Sequence, residues 1–163
     1  MIASRIQIEN GAIEDFYTKW GFIYLDADER TAPDEKKSDV SEYVEQAGEN
    51  PDPRAVDAPF DYTAKFLIEA PNKDLTNVNV KIGAFNRAIR ETSADSDIKR
   101  KREITFYNLL NRVKIVGYPE PIAVPEKVYH SNRYGELDCA MVELKIRVSD
   151  PKKCDFELST DNL

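Results

Sequence analysis

Over residues 60–70 the chain alternates with a period of two. Phe60, Tyr62, Ala64, Phe66, Ile68 and Ala70 interleave with Asp61, Thr63, Lys65, Leu67 and Glu69. Such alternation predicts a strand with one face in the core and one in water, as in an antiparallel sheet. The pattern returns over residues 137–148, where Ala140, Val142, Leu144, Ile146 and Val148 form the inner set and Glu143, Lys145 and Arg147 the outer one. Between these strands, Leu75, Val78, Ile82, Phe85 and Ile89 fall at spacings of three and four. That spacing predicts one long amphipathic helix over about 74–92, with Lys81, Asn86 and Arg90 facing water. Pro71-Asn72-Lys73-Asp74 stops the strand ahead of it and supplies capping oxygens.

The remaining elements are shorter. Ile2, Ile6 and Ile8 predict a first strand, followed by Gly11 and a helical turn through Ile13, Phe16 and Tyr17. Gly21-Phe22-Ile23-Tyr24-Leu25 reads as a strand, residues 26–39 as a solvent-exposed loop, residues 40–46 as a strand and residues 48–53 as a turn. Residues 103–107 and 113–118 predict a hairpin. Residues 122–130 pair with 137–148 across a loop at 131–135, and 155–158 form a closing strand. The fold expected is α+β: a mostly antiparallel β-sandwich or partly open barrel with one long helix packed on it. Residues 1–163 read as a single domain, with an acidic N-terminal segment and loop at 1–39 and a sandwich-plus-helix core at 40–158.

Composition narrows the picture. The chain has 163 residues, and its seven Phe, eight Tyr and one Trp are too many aromatics for a disordered segment despite 33% charged residues. The formal net charge of −7 is uneven: residues 1–60 carry 6 basic against 14 acidic residues, and the remainder is nearly balanced. That sign argues against nucleic acid as a partner, which calls for a basic face to displace counterions from phosphate. No apolar run is long enough to cross a membrane as a helix, and the first residues lack the pattern of a signal peptide. Two cysteines, Cys139 and Cys154, are too few for a disulfide framework and read as reduced thiols of a cytoplasmic product; sequence leaves open whether they pair.

The inventory of chemistry is thin. His130 is the only histidine, so any nucleophile–histidine pairing must use it, and its place beside Ser131 at a hairpin loop reads as a solvated turn. His-x-x-x-His, Cys-x-x-Cys and the glycine-rich phosphate loops are absent. No catalytic, metal-binding or cofactor-binding residue is therefore assigned. Two charged segments stand out as candidate interfaces. Asp26, Asp28, Glu29, Asp34 and Glu35 form an acidic cluster that lacks the glycine and distal glutamate of a calcium loop and reads as a solvated loop. Lys99-Arg100-Lys101-Arg102 is the one basic run. In a ring, the basic loop of one subunit would face the acidic loop of the next and set register. The tyrosines read as core first and interface second.

The stretch Glu45-Gln46-Ala47-Gly48-Glu49-Asn50-Pro51, followed by Asp57-Ala58-Pro59-Phe60-Asp61-Tyr62-Thr63-Ala64-Lys65-Phe66-Leu67-Ile68, resembles structural proteins of bacteriophages and prophages of gut anaerobes. The helix, then Ile104-Thr105-Phe106-Tyr107, Val113-Lys114-Ile115-Val116-Gly117-Tyr118 and the closing Met141-Val142-Glu143-Leu144-Lys145-Ile146-Arg147-Val148, complete an order similar to the N-terminal domain of phage distal tail proteins. The resemblance covers roughly residues 40–148 and has no catalytic signature. It departs in an acidic lead-in of about forty residues, and in ending where many relatives continue into a second, often carbohydrate-binding-like, domain. It implies a non-enzymatic virion protein without cofactor, made in the cytoplasm and built into the tail. Such a protein would act by self-assembly into a homo-oligomeric ring and docking to other tail proteins, either distal-tail-like or as a tail-completion part. The alternative from the residues is a small β-sandwich module that binds carbohydrate or a protein partner.

Overall fold

A computed structural model describes residues 3–35, 57–91, 100–131 and 137–159. The expected strand at 40–46 and the turn at 48–53 lie outside them. One path of antiparallel strands runs through the molecule. Its members are β1 (Ser4–Ile8), β2 (Ile13–Asp15), β3 (Phe22–Ala27), β6 (Phe60–Glu69), β9 (Ile104–Asn108), β10 (Val113–Pro119), β11 (Tyr129–Ser131) and β12 (Leu137–Val148). The spatial order is β2-β1-β9-β10-β12-β6-β3, with β11 added beside β12. Two small ribbons stand apart, β4 (Asp34–Glu35) with β5 (Asp57–Ala58) and β7 (Arg90–Glu91) with β8 (Arg100–Lys101). The helices are α1 (Phe16–Trp20) and α2 (Thr76–Ala88).

The path is an open sheet that folds over on itself. β10 pairs with β9 along five residues but with β12 only at Tyr118–Arg147 and Pro119–Ile146, so the corner lies there. Gly117 sits at that corner. A side chain on it would collide with the Arg147 carbonyl oxygen and the Ile146 side chain, so the close strand approach requires glycine. The two halves then face each other: Phe106 of β9 lies 6.2 Å from Phe66 and 5.9 Å from Tyr62, both on β6.

The long alternation at 60–69 reads out as expected on its inner face, where Phe60, Tyr62, Ala64, Phe66 and Ile68 are all buried. Leu67 on the other face is also buried, at 7% exposure. α2 runs from 76 to 88, shorter than expected at both ends, because Asp74 takes the Thr76 backbone N–H at 3.0 Å and Arg90-Glu91 leave the helix to pair as β7. Val78, Ile82, Phe85 and Ile89 are buried. Asn86 does not simply face water. Its amide accepts from Ile122 N–H at 2.8 Å and donates to Ile122 carbonyl at 3.1 Å, clamping the chain after β10 to the helix.

Four other expectations are corrected. Ile13 to Asp15 form β2 rather than a helical turn, and the turn begins only at Phe16. The strand expected at 122–130 shrinks to Tyr129–Ser131, because Pro121 and Pro125 lack the N–H a ladder needs and Val124 stays 60% exposed. The loop expected at 26–39 starts two residues late, since Asp26 and Ala27 belong to β3, and Asp34–Glu35 pair as β4. The expected closing strand at 155–158 is a single bridge, Asp155 to Lys114.

α1 matters beyond its length. Asp15 caps it by accepting from the Tyr17 N–H at 3.0 Å, and Gly21 ends it at φ 74°, a left-handed conformation that suits glycine. Phe16 is fully buried among Phe22, Phe66, Phe85 and Phe106, with Phe66 at 4.6 Å. The two ends of the sheet path, β2 and β3, are thus joined in sequence by this single turn, and Phe16 fills the space beneath the seam.

Candidate interface

The basic run is held by its own chain. Arg100 and Lys101 form β8, with Arg90 opposite Lys101 and Glu91 opposite Arg100; Lys99 lies outside the described residues. The Arg100 guanidinium meets Glu9 Oε1 at 2.6 Å, and Arg102 Nε lies 3.4 Å from the same oxygen. Arg102 also donates to the Ala88 carbonyl at 3.3 Å. Loss of solvent tends to raise the Glu9 carboxyl, but the Arg102 and Arg100 guanidiniums outweigh it and hold it below the ordinary carboxylate range. Lys101 is exposed. Nearby, Lys153 donates to Glu103 at 3.1 Å, which holds its ammonium above the usual range.

The acidic cluster does not converge on a point. Asp26 accepts from the Ala27 N–H at 2.8 Å, beside a register skip between Tyr24 and Asp26. Asp28 prolongs the β3–β6 ladder: its N–H donates to the Thr63 carbonyl at 3.0 Å, and its carboxylate accepts from the Thr63 N–H at 2.8 Å. Asp34 pairs with Arg30 at 2.8 Å, and that guanidinium stacks 4.1 Å from the Phe60 ring centre. Glu29 is exposed and has no hydrogen bond or ion pair. Among the described residues no three His, Cys, Asp or Glu side chains gather in a way that would hold a metal ion, and no helix is long and apolar enough to cross a membrane.

His130 sits on β11 opposite Asp138, with Nδ1 3.1 Å from the Asp138 carboxylate, in an exposed position. Cys139 and Cys154 are free thiols. Burial pushes both up, and the Asp138 charge adds to the effect at Cys139.

Two features escaped the sequence reading. The first is a buried polar node: Asn108, fully buried, donates to Tyr62 OH at 3.2 Å and Tyr24 OH at 3.1 Å. Its carbonyl oxygen accepts from the backbone N–H groups of Leu110 and Asn111, closing the β9–β10 turn. Burial pushes the Tyr62 hydroxyl up to about 12. The second is an open groove of about 530 Å³ where α1 meets α2, lined by Tyr17, Lys19, Trp20, Glu69, Val80 and Lys81 among others. Here the Trp20 indole N–H is buried without a partner, and Lys81 makes no hydrogen bond or ion pair. Gly21 admits the Lys81 side chain, whose Nζ lies 2.5 Å from where a Cβ would stand. Lys19 lies 3.8 Å from Glu14 and 5.9 Å from the Trp20 ring centre. A lone tryptophan just before a helix-ending glycine was the available signal, but nothing in the spacing placed Lys81 against it.

No protein-family model matches the chain, and no curated protein is similar to it in sequence. Among solved structures, the chain is similar in fold to the SPP1 Dit (gp 19.1) protein, described as a paradigm of the hub adsorption apparatus in phages infecting Gram-positive hosts. The TM-score is 0.52 at 14% identity, and the match covers 91% of this chain and 50% of that one. This chain therefore corresponds in fold to about half of that protein's length.

Proposed function

We propose that this chain is a non-enzymatic structural protein of a phage or prophage tail, acting by self-assembly into a ring and docking to other tail proteins. The observation that carries the reading is the fold likeness to the Dit hub protein along 91% of the chain. The surface agrees with it. Several charged side chains, Asp28, Arg100 and Glu9 among them, are tied to backbone or to each other, and the exposed features are an acidic loop, a basic ribbon and edge strands, which suit contacts between subunits. In this reading both Asp26–Glu35 and Lys99–Arg102 are offered as contact surfaces. The test is size-exclusion chromatography with light scattering across concentration, followed by negative-stain imaging. A closed ring or a concentration-dependent oligomer supports the proposal. A strict monomer that is retained on sugar columns overturns it in favour of a carbohydrate-binding module.

A further inference from the structure

We infer that the groove between α1 and α2 is the socket for the acidic loop after β3 of a second copy of this chain; this rests on the self-assembly reading and gives it a surface. Two residues that line the groove carry hydrogen-bond donors that the chain itself leaves unmatched, the Lys81 ammonium and, beneath the surface, the buried Trp20 indole N–H. A buried donor without an acceptor is costly, so a group bringing oxygens is the chemistry that completes the site. Its walls include Tyr17 and Val80, exposed at 61% and 63%, which supply apolar area beside the cation.

The complementary group is on the same molecule but out of its own reach. Glu29 is exposed and unpaired, and Asp28 uses only one carboxylate oxygen, on Thr63. The groove opens at the start of β3 and the acidic loop leaves its end, six residues on, about 20 Å at the rise of an extended strand. A donor site at one end of a strand and an acceptor at the other make a head-to-tail contact, the heterologous kind that closes into rings. Arg100 and Arg102 fit the loop less well, because both guanidiniums already meet Glu9.

The test uses the full chain and a charge swap. Wild type, Lys81→Glu, Glu29→Lys, the double swap and the Arg100→Glu/Arg102→Glu pair are compared by light scattering, with circular dichroism confirming the fold. Trp20 is the only tryptophan, so its emission reads the groove directly. The expectation is that wild-type association shifts Trp20 emission, and that each single reversal at Lys81 or Glu29 weakens association about tenfold or more. The double swap recovers most of it, and the arginine pair matters less than Lys81. If wild type assembles with Trp20 emission unchanged, or the arginine pair dominates and the swap rescues nothing, the socket is overturned and self-assembly stands. A wild type that stays monomeric at every concentration overturns both.

Discussion

Replacing Asn108 by alanine removes the one side chain that ties three strands and a turn together. Four hydrogen bonds are lost, two to Tyr24 and Tyr62 and two to the Leu110 and Asn111 amides. The part-buried turn amides recover water, which limits their loss to a few tenths of a kcal/mol each. The Tyr62 hydroxyl cannot recover in this way, since its residue is fully buried. An unmatched buried polar group costs about 1–3 kcal/mol, and an ordinary bond about 1 kcal/mol net. The expected destabilisation is therefore about 3–4 kcal/mol, a large part of the 5–15 kcal/mol typical of a domain. Urea unfolding followed by Trp20 emission and far-UV circular dichroism measures it. A cycle with Tyr62→Phe isolates the cause: with the hydroxyl gone, Asn108→Ala should cost about 1–2 kcal/mol less than it does in wild type. A cost below about 1 kcal/mol, or strict additivity in the cycle, would refute the idea that Asn108 acts through Tyr62.

Three further outcomes follow from the packing. Gly117→Ala drives a methyl into the Arg147 carbonyl at the sheet corner and should cost about 2–3 kcal/mol, seen as a lowered urea midpoint. Phe16→Ala empties the space beneath the seam and should cost about 3–5 kcal/mol; a loss under 1 kcal/mol would show that the seam does not depend on it. The Tyr62 hydroxyl rises from 10.0 unfolded to about 12 folded, so its contribution is complete below pH 10 and is lost as pH climbs through 12. That amounts to up to about 3 kcal/mol. Thermal melts between pH 9 and 11.5 should fall more steeply for wild type than for Tyr62→Phe.

What the sequence disclosed depended on repetition. β6 and β12 repeat their alternation over ten and twelve residues, and α2 repeats its spacing over three turns, so local pattern was enough. α1 spans five residues and carries a single buried side chain, Phe16, too little for a period to emerge. The segment after β10 misled for the opposite reason. Ile122, Val124 and Val128 look like a strand, but two prolines deny it donors, and Asn86 fixes Ile122 instead. The candidate site was legible only as charge. That Glu9 would hold both arginines depends on β1 lying beside β9, and that Lys81 would lie against Gly21 depends on α1 meeting α2. Both are contacts between distant parts of the chain.

The pairing of β1 with β9 sets the order in which this molecule can form. Ser4 meets Asn108 and Ile8 meets Ile104, so β1, which has β2 close by in sequence, waits for about a hundred residues before the strand that joins it to the rest of the sheet exists. β3 finds β6 sooner, and β12 then zips along the whole of β6. Closing so long a loop is entropically slow, and such non-local pairing favours late assembly. During synthesis the β1–β2 pair therefore has no further strand to join until β9 leaves the ribosome. The same pairing of β1 with β9 lays Glu9 beside Arg100 and Arg102. The charged cluster thus comes into being only once β1 has joined β9, and a chain cut short of β9 lacks it.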